Sequence, residues 1–545
     1  MPRAVACALA LCAFAAGCTK IGTTDVGGVQ RHPWTTPHVL RMGIQADVDN
    51  LDPLLATNTT DSAVDRLIFD VLVSVDASGN REVPMLAAQV PTLANGGISR
   101  DGLTITYHLR HGVRWSDGAP LTSADVAFSF HAIMNDANNV IARDGYDVVR
   151  SVAIPDPYTI VFHLKHPYAP FVNTVFGESD SPYAIIPAHL LAKLPNINHI
   201  AFNSQPVGTG PFELKEWVRG DHLTLVPNPH YFLGAPKLKE IRIEVIPDEN
   251  TEINDLRSHS LDWQFEASPD EYRQLKTIPD LRIVLVNMNQ YLWLQINNRH
   301  VPLDELPVRQ AIAMALDKQR LVDDLTGGSA SVADQDLPPF SWAHATEITR
   351  YPYDPARARA LLIANGWKPG PDGILEKNGV PLHFVLATNT SNVTRRAAVV
   401  QIQAMLQKVG IAAEIKSYLA TLLFASVAEG GILQTGKYDL SVNGWIAGID
   451  PDQSSQFLCS AIPPNGNNST FYCNPKLDAA EHDALTHYDR ATRKAAYARV
   501  EAILTHDTPD VVIWWPRQLQ PVNPDFRNFD PNPVTETWDA YRWDI

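Results

Sequence analysis

Hydrophobic positions along the chain follow two rhythms, one in each half. In the first half, short runs alternate at period two. HVLRMGIQ (38–45), LTITYHL (103–109), TIVFHL (159–164), IRIEVIP (241–247) and YLWLQIN (291–297) read as strands. Residues 206–231 add two strands with a glycine-rich entry and a turn at Gly220-Asp221. LDP (51–53) leads towards a helix-like stretch, SAVDRLIFDVLV, and Trp115-Ser116-Asp117-Gly118 makes a turn. Thr122 is placed to cap a helix whose Val126, Phe130 and Ile133 share one face.

The second half alternates helix with strand. Pro307 opens a helix striped by Val308, Ile312, Ala315 and Leu316. Asp354-Pro355 supplies an N-cap and a first-turn proline, and Gly366 ends that helix. HFVLAT (383–388) is a strand. Ala398, Ile402, Met405 and Leu406 form a helical stripe ended by Gly410, and IAAEIKSY (411–418) and YDLSVNGW (438–445) are strands. This alternation predicts an α/β region with a largely parallel sheet. Ligands of such sheets sit outside the carboxyl ends of strands, so Trp293, Trp445 and Trp515 are read two ways, as core or as crevice lining.

Composition narrows the function. The chain has 545 residues and 45% hydrophobic content, enough for two or three domains. Its net charge of −16 argues against nucleic acid, which wants a basic face. Ala4 to Ala16 is small and apolar, too short to span a bilayer, and ends in Ala15-Ala16-Gly17-Cys18. Two readings stay open: an ordinary signal peptide with an incidental cysteine, or a lipoprotein signal with Cys18 acylated. The lipobox it resembles more often has Leu where Ala15 stands. Residues 19–37 lack periodicity and read as a tether. Either way the chain is exported. Cys7 and Cys12 leave with the signal. Cys459 and Cys473 remain in a turn-rich segment, as a disulfide worth about 3 kcal/mol or as two free thiols.

Catalytic and metal motifs are weak. Gly431 to Lys437 has phosphate-loop spacing, but Tyr438 replaces the required Ser or Thr, and the segment precedes a strand. His108 and His111 lie at a strand end, where a spacing of three does not place both on one face. HExxH, CxxC and GxSxG do not occur. No cofactor is expected, and nothing singles out a catalytic group.

Five segments together resemble the peptide- and nickel-type extracellular solute-binding proteins of ABC importers, family 5. They are residues 101–130 (DGLTITYHLRHGVRWSDGAPLTSADVAFSF), 206–217 (PVGTGPFELKEW), 306–328, 353–367 and 399–415, in the family's order. The resemblance implies a two-lobed, class II periplasmic-binding-protein-like α/β fold with an extra α+β subdomain. Lobe 1 would comprise 38–60, 201–287 and 506–545, the subdomain 61–200, and lobe 2 288–505, with connections near 285–290 and 505–510. A peptide or similar small solute would be enclosed between the lobes and handed to an ABC permease by an anchored, monomeric, non-enzymatic protein. By the same resemblance, Gly208-Thr209-Gly210 matches a glycine turn near the cleft, and Asn297 the asparagine ending the strand into lobe 2. Asn389 follows a strand facing the cleft, and Trp445 leads to the ligand loop. Asn58, between LDP and the first helix, completes the candidates. Peptide binders often carry an aspartate three residues after that tryptophan, where this chain has Gly448. Asp450 or Asp452 then swings in, or the ligand lacks a free amine. The rivals are a secreted two-lobed hydrolase acting on a peptide or sugar polymer, and a surface adhesion protein.

Overall fold

The computed structural model describes residues 31–179 and 182–545. The export signal, Cys18 and most of the expected tether lie outside the described residues. The tether's last part does not dangle. Thr35 Oγ1 donates to Asp525 (2.7 Å), Arg31 pairs with Asp544 (3.2 Å), and Trp34 stacks between His32 and His259. Residues 31–37 are thus part of the folded body, because their polar side chains find buried partners.

Two sheets organise the molecule. The first has seven strands in the order Arg282–Asn287, Arg517–Val522, Trp263–Gln264, Val39–Ile44, Glu240–Val245, His222–Pro227, Phe212–Val218. The second has six: Ser331–Val332, Asp510–Trp515, Gln290–Ile296, Leu440–Ile446, His383–Asn389, Ala412–Tyr418. The second sheet is mixed rather than largely parallel. His383–Asn389 runs parallel to both neighbours, but Gln290–Ile296 is antiparallel to Leu440–Ile446 and to Asp510–Trp515. The cause is connectivity: the strand entering this sheet lies beside the strand leaving it, so the two run in opposite directions.

Both faces of the second sheet are covered. Leu292, Leu294 and Ile296 pack with Val308, Ile312, Leu362 and Ile402 from helices on one side. Tyr291 and Trp293 pack on the other with Leu477, Val500 and Trp515, beside the helices Pro475–Thr486 and Arg490–Asp507. This is why the strand reads as almost continuously apolar. The first sheet shares one core with a smaller three-stranded sheet (Thr104–His108, Thr159–Leu164, Val149–Asp156) and the helix Ser123–Met134. Thr122 stands at the N-cap of that helix as expected, and the structure adds Asp125 as its capping-box partner.

The chain passes between the sheets twice. Arg282–Asn287 continues into Gln290–Ile296 across Met288 and Asn289, and Asp510–Trp515 continues into Arg517–Val522 across Pro516. The return crossing therefore lies at 516, not at 505–510. Val511, Val512 and Ile513 are buried by the second sheet's own helices, so this strand stays with it.

Gly208 and Gly210 are where the fold allows no side chain. Gly210 donates its N–H to the Ile68 carbonyl (2.7 Å), and a Cβ on Gly208 would sit 1.9 Å from that same oxygen. Overpacking of this kind costs typically about 1–3 kcal/mol. Gly208→Ala is expected to lower the free energy of urea unfolding by at least that much, whereas Lys193→Ala, at an exposed position, should change it by under about 0.5 kcal/mol. Equal effects of the two would show that the close approach to Ile68 is unimportant.

Candidate functional site

The carboxyl end of Leu440–Ile446 runs into the loop 447–453, which faces the smaller sheet's subdomain across a cleft. Two adjoining spaces form this cleft and share Ser179, Ile446 and Ala447 as walls. The larger, about 770 Å³, lies between the subdomain and the second sheet's loops. The smaller, about 220 Å³, lies at the crossing between the sheets. Ile141 and Ile446, both more than half exposed, line the smaller space from opposite sides.

Asn289, in the first crossing, fixes the cleft loop. Its carbonyl accepts the Ala447 N–H (2.9 Å), and its side-chain amide donates to the Ala447 carbonyl (2.9 Å) and to that of Gly448. Its own N–H reaches the Pro533 carbonyl (3.4 Å). One residue thus ties the crossing to both halves of the molecule.

Farther along the loop, Asp450 is committed. Arg493 holds it with two hydrogen bonds (2.5 and 2.8 Å), and both side chains are buried. Burial opposes the guanidinium's charge, yet the neighbouring Asp450 carboxylate raises its pKa overall. Next to it, the Gln453 N–H donates to Glu481 and its side-chain amide to Glu501 (2.9 and 3.0 Å), pinning the loop to the helices behind. Asp452 lines the larger space, accepts a bond from the Tyr168 hydroxyl (3.3 Å), and is pushed above the ordinary carboxylate range by burial.

The expected site residues divide. Trp445, Gly448, Asp450 and Asp452 line the larger space, and Asn58 the smaller, where it also caps the helix Thr59–Ile68. Gly208, Thr209 and Gly210 instead pack beneath the end of that helix, with the backbone approach made to Ile68. Trp293 and Trp515 lie on the helix-covered face of the second sheet and are core. Asn297 is buried and donates to the carbonyls of Gly436 and Tyr438 (3.1 and 2.9 Å), holding a turn. Asn389 is buried and bonds Ser391 (2.9 Å). None of these seven lines either space. The idea that Asp450 swings towards a ligand amine is corrected too. Breaking its buried pair would strand a charge, at a cost of about 3–5 kcal/mol.

Several lining or adjacent residues carried no signal in the sequence. Asn289 and Gln290 sit in the crossing, and Glu266, Gln518 and Glu536 join them at the smaller space. Arg395, in the first turn of Val393–Val409, lies against Gly444, where an added Cβ would be 2.7 Å from its guanidinium and 3.3 Å from the Gln290 amide. Burial lowers its pKa, and among the described residues it meets an amide oxygen, Asn389 Oδ1 at 3.5 Å, but no carboxylate. In sequence, each is one polar residue among many.

Contacts cross the far side of the cleft. The Tyr488 hydroxyl accepts the Tyr168 N–H (3.1 Å) and donates to the Gly102 carbonyl (2.9 Å). The Ala169 N–H donates to the Leu485 carbonyl (2.7 Å), and Arg490 to that of Asn80 (2.7 Å).

A model of the bacterial extracellular solute-binding proteins, family 5, matches residues 83–466. Protein XP55 of Streptomyces lividans is 30% identical over 510 residues, covering 93% of this chain and 88% of that one. The oligopeptide-binding protein AppA of Bacillus subtilis is 27% identical over 496 residues, covering 90% and 88%. Its structure in complex with a nonapeptide superposes with a TM-score of 0.73 at 25% identity, covering 93% of this chain and 98% of that one. NikZ of Campylobacter jejuni, in complex with Ni(L-His), gives 0.75 at 26%, covering 94% and 100%.

The loop's anchorage is testable. Arg493→Met should destabilise the protein by about 3–5 kcal/mol at pH 7 in urea unfolding, because Asp450 then stays buried without its countercharge. Asp450→Asn together with Arg493→Met should recover part of that loss. A double variant as unstable as the sum of the singles would mean the two side chains act independently.

Proposed function

The chain belongs to the bacterial extracellular solute-binding proteins, family 5, and on that footing we propose that it captures a peptide or similar small solute between its lobes for an ABC permease. The observation that carries this reading is the cleft: two adjoining spaces, walled by both sheets' loops and by the subdomain, with the chain crossing twice at one end. A solute touching both walls stabilises the closed form in proportion to its extra contacts there. AppA's name and its nonapeptide complex support a peptide, and NikZ's ligand keeps small metal chelates within the class to be screened.

Arg395 is our candidate for a ligand carboxylate. It is a cation with no carboxylate partner among the described residues, close to Gln290 and to the strand that ends in the cleft loop. Charge-assisted bonds in a closed cleft are stronger than in water. Asp452, whose oxygens already accept the Tyr168 hydroxyl (3.3 Å) and the Ser454 N–H (2.9 Å), borders the larger space as a second carboxyl within reach of an amine. The protein acts by binding, without turnover, as a monomer carrying no cofactor. It is anchored outside the cytoplasm through lipid on Cys18. Cys459 and Cys473 are paired as a disulfide, as suits a chain outside the reducing cytoplasm.

Mass spectrometry of solute released from the purified, denatured protein tests the class directly. Peptides found there should raise the melting temperature when added back and be recovered intact. Cleaved peptide would favour the hydrolase reading. Arg395→Met should weaken binding of a free-carboxylate peptide at least tenfold, roughly 1.4 kcal/mol, and leave its C-terminal amide unaffected. Equal loss for both forms would remove Arg395 from this role.

Cell fractionation tests the anchor. Cys18→Ser should move the protein from membranes to the soluble extracytoplasmic fraction. Full membrane retention would exclude a lipid on Cys18. In the same preparation, Cys459 and Cys473 should resist alkylation until reduced.

A further inference from the structure

The smaller space of the cleft holds two acids and no base. Among the described residues, Glu266 and Glu536 line it, and no Lys, Arg or His does. Its other walls are mainly apolar, with Ile141, Ile446, Val534 and Met288 among them. A carboxylate facing such walls is poorly screened, so its field on a bound group is larger than at the surface.

Each acid is held towards the space. Glu536 is only 7% exposed, yet it borders the cavity. Its neighbours fix the backbone: the Thr535 hydroxyl donates to Glu178 (3.0 Å) and the Thr537 hydroxyl to the Ala63 carbonyl (2.8 Å). Among the described residues no side chain donates to the Glu536 carboxylate. Arg66, which meets the same Glu178, is already paired with it (3.2 Å). Glu266 accepts the Thr59 hydroxyl (2.8 Å) and has a left-handed backbone, φ +55°. A non-glycine residue there is strained by about 1–2 kcal/mol, and such strain gathers at functional sites. Burial, and for Glu536 also the Glu266 and Glu178 charges, lift both acids above their ordinary range. A pair like this gains most from a cation placed between them.

We propose that Glu266 and Glu536 form a subsite for a cationic organic group of the solute, an ammonium or guanidinium, at the crossing end of the cleft. An organic cation fits better than a bare metal ion. Among the described residues no group of three or more His, Cys, Asp or Glu side chains is placed to hold a metal. An alkyl-borne charge instead puts its stem on the apolar walls and its head on the carboxylates. The cation is either a peptide's N-terminal ammonium or a Lys or Arg side chain. This inference rests on the solute-binding reading and narrows it to positively charged solutes.

Calorimetry with synthetic tetrapeptides of alanine separates the cases. The set carries one Arg, Lys or norleucine, with free or acetylated N-termini. The expected result is at least tenfold tighter binding of the cationic member of a matched pair. If acetylation abolishes binding whatever the side chain, the terminal ammonium is the cation; if Arg or Lys matters after acetylation, the side chain is. Glu536→Gln and Glu266→Gln should each reduce the preference, and the double variant should hold matched pairs within about twofold. Melting without ligand shows whether each variant is folded. Wild type binding neutral and cationic members equally would overturn the proposal while leaving solute binding intact, as would a preference that survives in the folded double variant. If no peptide binds at all, the peptide reading fails, and the subsite is then probed alone. n-Butylguanidinium at millimolar concentration should raise the wild-type melting temperature more than n-butylurea does, and Glu536→Gln should cancel the difference. Equal shifts overturn the subsite.

Discussion

A two-stranded ribbon joins the sheets, and the cleft exists because of it. Asn287 pairs with Arg517 in the first sheet, and Leu292 with Trp514 in the second, so the outgoing and returning passages run side by side. Between them the ladder lapses for a few residues around Met288, Asn289 and Pro516. Pro516 lacks the N–H that a ladder needs. Two strands that stop pairing together and resume together can bend but cannot separate. Such a line suits opening and closing of the two sheets about it, as at hinges whose few residues absorb the change. Asn289, at that line, also grips the loop 447–448, so bending the ribbon carries the ligand-facing loop with it.

Charge is distributed around the cleft with the same economy. Acidic groups are in surplus, and the buried cations near them are mostly spoken for: Arg493 by Asp450, Arg66 by Glu178. These pairs are weak arguments for stability, since desolvation offsets much of their attraction. Their effect here is positional. Arg493 holds the cleft loop against the helices behind it, and Arg66 holds Glu178 beside the C-terminal segment that carries Glu536. At the crossing those pairs leave carboxylates over, Glu266 and Glu536 on the wall of the smaller space, while Arg395 lies against Gly444 in the strand that leads to the cleft loop.

The sequence made the scaffold legible where periodicity had one cause. Strands with alternating patterns, and helices marked by a cap such as Asp354-Pro355 or a terminating glycine such as Gly410 (φ +90°), lie within a residue or two of their expected places. The helix-like stretch 62–73, by contrast, is a helix only over Thr59–Ile68, the chain turning into a strand at Val73. Long-range pairing was not legible. Trp263–Gln264 is too short to show a period, and only its place beside Val39–Ile44 makes it a strand. The helix–strand alternation suggested parallel neighbours, but the order in which strands lie together is a tertiary fact. The site was half legible. Trp445 at the strand end and Gly448, Asp450 and Asp452 on the loop after it follow one another closely in sequence and could be found by local resemblance. Glu266, Asn289 and Glu536 are brought together from three distant stretches. Glycines misled for a related reason: Gly208 and Gly210 do permit a close backbone approach, but the partner is Ile68 rather than a ligand.

The bonds across the outer rim bear on how much a ligand must contribute. Tyr488, Leu485 and Arg490 meet Tyr168, Gly102, Ala169 and Asn80 on the side of the cleft away from the ribbon. Each such hydrogen bond nets about 0.5–1.5 kcal/mol, because water bonds are given up to make it. A handful therefore offsets part of the cost of closing without any solute present. A ligand shifts the balance only by its differential affinity for the closed form, so a rim that already favours closure lowers the differential required. It also reduces selectivity, unless the interior penalises closure when the cleft is empty. With the proposed acid pair, the crossing does that. Closing over Glu266 and Glu536 without a cation costs either the burial of like charges or the uptake of a proton, which burial already favours, whereas a cation between them removes that cost. The rim and the acid pair thus pull in opposite directions in the empty protein and in the same direction in the loaded one, which is the condition for a cleft that closes on its solute and not on water.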